Sequence, residues 1–184
     1  MSCVVFFLEE ESARAFLEKF IPRFFPQSYE YIYITFEGKQ DMERQLPRKL
    51  KLWQRRDTLF VILRDQDSGD CKAIKEKLSE ICQRVEKPEC VIRIACRELE
   101  SWYLGDLASV GSAYEIDKLA RQQNKKKFRN PDTLGNPDIE LKKLTNGLYQ
   151  KVSGSRLLGS LLRVSGNKSH SFNIFVIGVR NLCR

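Results

Sequence analysis

TLFVILRDQD, residues 58–67, joins a six-residue apolar run to two carboxylates spaced one residue apart. Thr58 to Leu63 is short and continuous in its apolar character, which suits a strand buried on both faces. Asp65 and Asp67 follow directly. Side chains of an extended chain alternate with period two, so both carboxylates are expected on the same side. Open parallel sheets place their sites at the carboxyl ends of strands, which is where this Asp-x-Asp falls.

Working outward, the same kind of run recurs at residues 3–8 (CVVFFL), 29–36 (YEYIYITF) and 90–95 (CVIRIA). Between these runs the spacing is helical. Ser12 to Phe20 has apolar residues at 13, 16, 17 and 20 and is bounded by Pro22 and Pro26. Asp41 to Trp53 is charged and helical, with Pro47 expected to kink or interrupt it. Cys71 to Val85 is an amphipathic helix. This strand–helix alternation predicts an α/β fold, a mainly parallel four-stranded sheet with right-handed crossovers and helices on both faces. From Glu98 the pattern becomes mostly helical and more basic. NPDTLGNP (130–137) reads as a loop, and Gly147 and Gly154 flank a break around YQKVSG. Phe172 to Leu182 reads as a closing helix or a late strand. With no repeat and no long linker, residues 1–184 form one expected domain, an α/β core over 1–97 and a helical extension over 98–184.

The length suits a single core, and the 42% hydrophobic content is that of a chain that folds alone. No apolar run approaches the roughly 18 residues of a membrane span, and Cys3 to Leu8 is too short for a signal segment, so a cytoplasmic protein without membrane partners is expected. The six cysteines include no CxxC pair and His170 is the only histidine, which disfavours structural zinc and histidine-based hydrolysis. All 24 acidic residues lie within 1–140, where as many Lys and Arg balance them; 141–184 carry eight basic residues and no acid. A second basic cluster spans Lys118 to Arg129. Such patches are the footprint of nucleic-acid binding, or else a solvated face with no partner.

Acids stand at three strand ends: Glu9-Glu10-Glu11, Asp65-x-Asp67 with Asp70 beyond, and Glu98-x-Glu100. Clustered carboxylates repel unless a cation neutralises them, and Mg²⁺ or Mn²⁺ suits such oxygen ligands. The alternative is that each group caps the helix it precedes, which accounts for Glu11 and Asp70. Phosphodiester chemistry also asks for positive charge at the transition state. Lys151, between Tyr149 and a glycine-containing turn, is the expected source, with Arg64 and Arg97 as alternatives. Trp102 and Tyr103 are read as core, and His170 as structural.

A glutamate after the first strand and an Asp-x-Asp after the third resembles the Toprim fold of topoisomerases, bacterial primases and OLD-type nucleases. More closely, FLEEESARAFLEKFIPRF, FEGKQDMERQLPRKL, LRDQDSGDCKAIKEKL, RIACRELESWYLGD, RNPDTLGNPDIELKKL and YQKVSGSRLLG resemble the Toprim-related bacterial family called domain of unknown function 4276, nearly along the whole chain. RELESWYLGD is the most specific segment. The resemblance implies a metal-dependent nuclease associated with phage defence, sometimes beside an ABC-type ATPase. It places Glu9 at the Toprim glutamate and Asp65 and Asp67 at the Asp-x-Asp. Glu10 stands where many relatives have Gly, which leaves Glu9 and Glu10 as competing ligands. Glu100 matches the acid before the family's Trp. Glu37-Gly38-Lys39-Gln40-Asp41 imitates the glutamate loop but follows the second strand; within it, Lys39 is a candidate phosphate contact.

The expected function is cleavage of DNA or RNA, with Glu9, Asp65, Asp67 and Lys151 catalytic and Glu9, Glu10, Asp65, Asp67 and Glu100 holding metal. Lys39, Arg64, Arg97, Lys125, Lys126, Lys127 and Arg129 are expected to face the nucleic acid. The competing reading is a non-catalytic binding module, or an effector held silent by an ABC-type ATPase partner. Topoisomerase-like chemistry would need a tyrosine nucleophile, and none of the six tyrosines stands out.

Overall fold

A computed structural model describes residues 2–87 and 89–183. The four apolar runs form strands β1 (Cys3–Leu8), β2 (Glu30–Thr35), β3 (Thr58–Asp65) and β4 (Val91–Ala95). They pair in the order β2-β1-β3-β4, every pair parallel. The crossovers are α1 (Glu11–Phe24), α2 (Lys39–Lys51) and α3 (Cys71–Arg84). The chain steps from β1 outward to β2, then back across β1 to β3 and on to β4. Right-handed crossovers made in opposite directions put α1 on one face and α2 and α3 on the other.

The two faces account for the continuous apolar strands. Val4, Phe6, Leu8, Val61 and Leu63 belong to the core on the α1 side. Val5, Phe7, Phe60 and Ile62 belong to the core with Met42, Leu46 and Leu50 of α2 and Ile74 and Leu78 of α3. Burying each such side chain is worth about 1.5–3 kcal/mol, so β1, buried along its whole length, anchors both layers.

The remaining helices are α4 (Glu100–Leu104), α5 (Leu107–Ala113), α6 (Leu119–Gln122), α7 (Pro137–Leu144), α8 (Lys151–Leu161) and α9 (His170–Leu182), with short 3-10 turns at Lys126–Phe128 and Pro131–Thr133. They join the α1 side. α8 lies along α1 and α9 covers β4. At Gly159 of α8 an added Cβ would stand 2.3 Å from the carbonyl oxygen of Phe16, so only glycine allows the two helices this close. Trp102 packs its ring against Phe16, Phe172 and Phe175 at centroid distances of 6.0, 5.4 and 4.9 Å, and its Nε1 donates to Ser171 Oγ at 3.0 Å. Trp102 and Tyr103 are both fully buried, as their reading as core residues requires. The start of α9 is tied down from a distance: Asp132 accepts from Ser169 Oγ at 2.6 Å and from the Ser171 amide at 2.7 Å.

Several local expectations change. Neither proline ends its helix: α1 runs through Pro22 and α2 through Pro47. Each ring removes one backbone hydrogen bond. The apolar stripe at Met42, Leu46 and Leu50 remains fully buried across Pro47 and holds α2 in place. β3 extends two residues past Leu63 and carries Arg64 and Asp65 into the sheet. Gly154 lies inside α8, so the break before that helix is shorter than its glycines suggest. The last apolar segment is a helix. All six cysteines are free thiols. Among the described residues, no helix is long and apolar enough to cross a membrane.

Candidate active site

The strand order reverses between β1 and β3, and a reversal opens a crevice at the carboxyl ends of the two strands. Leu8 pairs with Leu63 and Asp65 with Ala95, so Glu9 leaves β1 beside Asp65. The Asp65 amide donates to Glu9 Oε2 at 3.1 Å. Glu9 is only 7% exposed.

Around this bond the carboxylates divide into two groups. On one side Asp65 meets the fields of Glu100, Glu9 and Glu10, countered by Lys151. Lys151, the first residue of α8, reaches Glu10 Oε2 at 2.5 Å. Glu100 opens α4 and is completely buried; Tyr149 Oη donates to its Oε1 at 2.7 Å. On the other side Asp67 turns to Lys39 at the start of α2, with Nζ to Oδ2 at 2.9 Å. Glu9, Glu10, Lys39 and Asp67 line an open cleft of about 330 Å³ there. The Asp-x-Asp therefore does not behave as two neighbours on one strand face. Asp67 lies past the end of β3 with φ at +54°, and the period-two alternation ends where the extended backbone ends. Its amide is held by the Arg97 carbonyl at 2.7 Å.

Burial drives the electrostatics. Desolvation raises the pKa of Asp65 well above the ordinary aspartate value, and the charges of Glu100, Glu9 and Glu10 add to it. Desolvation also raises Glu100, partly offset by the Tyr149 hydrogen bond. Glu9 rises for the same reason, opposed by the Asp65 amide and by Arg64. Burial alone would lower Lys151; its contact with Glu10, reinforced by Glu100 and Asp65, reverses this and raises it. Lys39 is raised by its bond to Asp67. Elevated acids beside elevated lysines mark a concentration of negative charge that attracts cations.

Arg64, expected at the nucleic acid, is only 7% exposed. Its side chain is buried on the α2–α3 side, where Nη1 donates to Glu43 Oε1 at 2.6 Å, and Lys77 binds the other oxygen of Glu43 at 2.6 Å. Arg64 Nε lies 3.8 Å from Glu9 Oε2, so the arginine braces Glu9 from below. Arg97 has φ at +63°, and its amide donates to Gln66 Oε1. Lys125, Lys126, Lys127 and Arg129 are exposed and lie in and beside the 3-10 turn after α6. Lys127 pairs with Glu140 at 2.6 Å and Arg129 donates to the Asn124 carbonyl. His170 is exposed at the start of α9. Of the acids read as helix caps, Asp70 is one, accepting from the Ala73 amide at 2.8 Å.

RELESWYLGD now has a physical reading. Glu98 accepts the Asp138 amide and fixes the start of α7. Glu100 enters the carboxylate cluster, and Trp102 and Tyr103 fill the core. Gly105 leaves room for Asn167, whose Oδ1 would stand 1.9 Å from any Cβ. Asp106 caps α5 and pairs with Arg163. Sequence reasoning passed over Tyr149 and Glu43. The partner of Tyr149 is 49 positions away and that of Glu43 is 21, so no local spacing reveals either.

The residues fit a hard divalent cation by chemistry. The donors are carboxylate oxygens, and Glu100 Oε2 is buried with no hydrogen-bond partner among the described residues. An uncompensated buried oxygen of this kind is costly and therefore asks for an explanation. Among the described residues no three side chains stand ready as a metal cluster. Lys151 pairs with Glu10 and Lys39 with Asp67, so two ammonium groups stand against the acids.

The family model described as Domain of unknown function (DUF4276) matches residues 8–180. Among solved structures, the fold is similar to the C-terminal region of the Burkholderia pseudomallei OLD protein, with a TM-score of 0.59 and 14% identity over 98% of each chain. The C-terminal region of the Xanthomonas campestris pv. campestris OLD protein gives a TM-score of 0.49 at 14% identity, over 98% of this chain and 96% of that one. No curated protein matches. The expectation of a Toprim-like α/β fold of the OLD type holds.

Proposed function

This chain belongs to the family described as Domain of unknown function (DUF4276), and we propose that it is a metal-dependent nuclease cleaving phosphodiester bonds in DNA or RNA. The observation that carries the reading is Glu100 Oε2, a buried carboxylate oxygen without a hydrogen-bond partner among the described residues, beside other acids at the switch point of a parallel sheet. Glu9, Glu10, Asp65, Asp67 and Glu100 would hold Mg²⁺ or Mn²⁺. When bound, such an ion polarises the phosphoryl oxygen and makes water nucleophilic near neutral pH.

The chain's own residues supply the rest. Lys151 and Lys39, which pair with Glu10 and Asp67, would be the ammonium groups offered to the phosphate. Lys151 stands on the Asp65 side and would stabilise charge that develops in the transition state. Lys39, at the start of α2 and on the open cleft, would hold a flanking phosphate. Arg64 keeps Glu9 in register. Lys125, Lys126, Lys127 and Arg129 would track the backbone of the nucleic acid and make affinity fall with salt.

The direct test incubates the chain with single- and double-stranded DNA and RNA in Mg²⁺ or Mn²⁺. Cleavage that disappears with chelator and drops at least about 100-fold in Asp65→Ala and Glu9→Ala is expected. Cleavage of equal rate by wild type and both variants would refute the assignment.

A further inference from the structure

Glu100 is the most enclosed carboxylate of the site, and its two oxygens differ. Oε1 accepts from Tyr149 Oη at 2.7 Å. Oε2 has no hydrogen-bond partner among the described residues. Tyr149 is itself fully buried and fixed on three sides. Its amide donates to Thr145 Oγ1 at 3.1 Å, and its hydroxyl lies 3.4 Å from Ser155 Oγ. Its ring lies against Gly154, where a Cβ would come within 2.5 Å of a ring carbon. A phenol donates one hydrogen and accepts another, so Ser155 donating to Tyr149 leaves the tyrosine proton for Glu100.

We propose that Tyr149 is a positioning residue that grips Glu100 by Oε1 and leaves Oε2 as the oxygen offered to a divalent cation. The proposal rests on the metal-dependent reading above. Carboxylates that ligate metals are commonly hydrogen-bonded in turn, and the partner sets their orientation. The placement is economical in sequence: two residues beyond Tyr149, Lys151 reaches Glu10. The entry to α8 thus governs two carboxylates of the cluster at once.

The test measures Mn²⁺ binding by calorimetry on the full chain for wild type, Tyr149→Phe, Glu100→Gln and the double variant. Phenylalanine keeps the ring and loses only the donor. Tyr149→Phe is expected to fold at a lowered melting temperature and to bind about 10–100-fold more weakly. Because the effect runs through Glu100, adding Tyr149→Phe to Glu100→Gln is expected to cost nothing further. A folded Tyr149→Phe that binds as wild type would overturn the proposal. So would an equal loss in the Glu100→Gln background, which would mark a purely structural role. Should Tyr149→Phe alone not fold, Glu100→Gln is expected to restore the fold by removing the stranded carboxylate, and failure to restore it counts against the proposal. Wild type that binds no Mn²⁺ sinks the metal-dependent reading and this proposal with it, an outcome distinct from the others.

Discussion

Asp65→Asn is expected to stabilise the metal-free protein while abolishing its response to metal. Burial and the neighbouring charges of Glu100, Glu9 and Glu10 raise the folded-state pKa of Asp65 above the ordinary value of 3.8. Between that value and the raised one, the native state binds more protons than the unfolded chain, so its stability falls as pH rises. The penalty is absent below about 3.8, grows with pH and is complete above the folded pKa. Asparagine keeps the shape and removes the charge. Relief of a strained polar site of this sort is worth about 0.5–2 kcal/mol. At about 2–4 °C per kcal/mol for a chain of this size, the melting temperature should rise by about 1–8 °C at pH 7 in chelator. Metal reverses the order. At a hundredfold excess over its dissociation constant a ligand adds about 2.7 kcal/mol, or about 5–11 °C, to wild type only. Thermal unfolding followed by circular dichroism from pH 5 to 8, with and without Mn²⁺, reads both effects. The reasoning fails if the variant in chelator melts at or below wild type at pH 7, or if its advantage shrinks as pH rises.

Gly159→Ala should be far more damaging than an ordinary helix substitution. Alanine favours helix by about 1 kcal/mol, but the added carbon meets the Phe16 backbone oxygen, which cannot rotate away, so α8 must move off α1. A net loss of about 1–3 kcal/mol in urea unfolding is expected, and a neutral result would show that the interface gives more easily than it looks. Replacing Lys125, Lys126 and Lys127 with glutamine should weaken nucleic-acid binding while leaving Mn²⁺ affinity intact. The slope of log affinity against log salt should become shallower by up to about 3, roughly one for each phosphate no longer neutralised; an unchanged slope would place the nucleic acid elsewhere.

The sheet was legible because burial on two faces leaves a continuous apolar signature: CVVFFL and TLFVILRD have no solvent side to mark. The carboxylates were legible as types at strand ends, and less so as geometry. Asp67 was expected beside Asp65 by alternation, but a left-handed backbone turns it toward Lys39. Arg64 looked like a phosphate ligand and is a buried brace, because only the packing of α2 and α3 reveals that Glu43 and Lys77 await it. Pro22, Pro47 and Gly154 misled for one shared reason. Local propensity costs a few kcal/mol at most, and an amphipathic face or a crowded aromatic neighbour can outweigh it.

Glu10 and Lys151 are made far apart in the order of synthesis, and Tyr149 follows the first strand by almost as long. A nascent chain that has already folded its sheet still lacks the segment that grips two of the acids. The two acids Glu10 and Glu100 therefore gain their ammonium and phenol partners only once residues 149–151 have joined the chain.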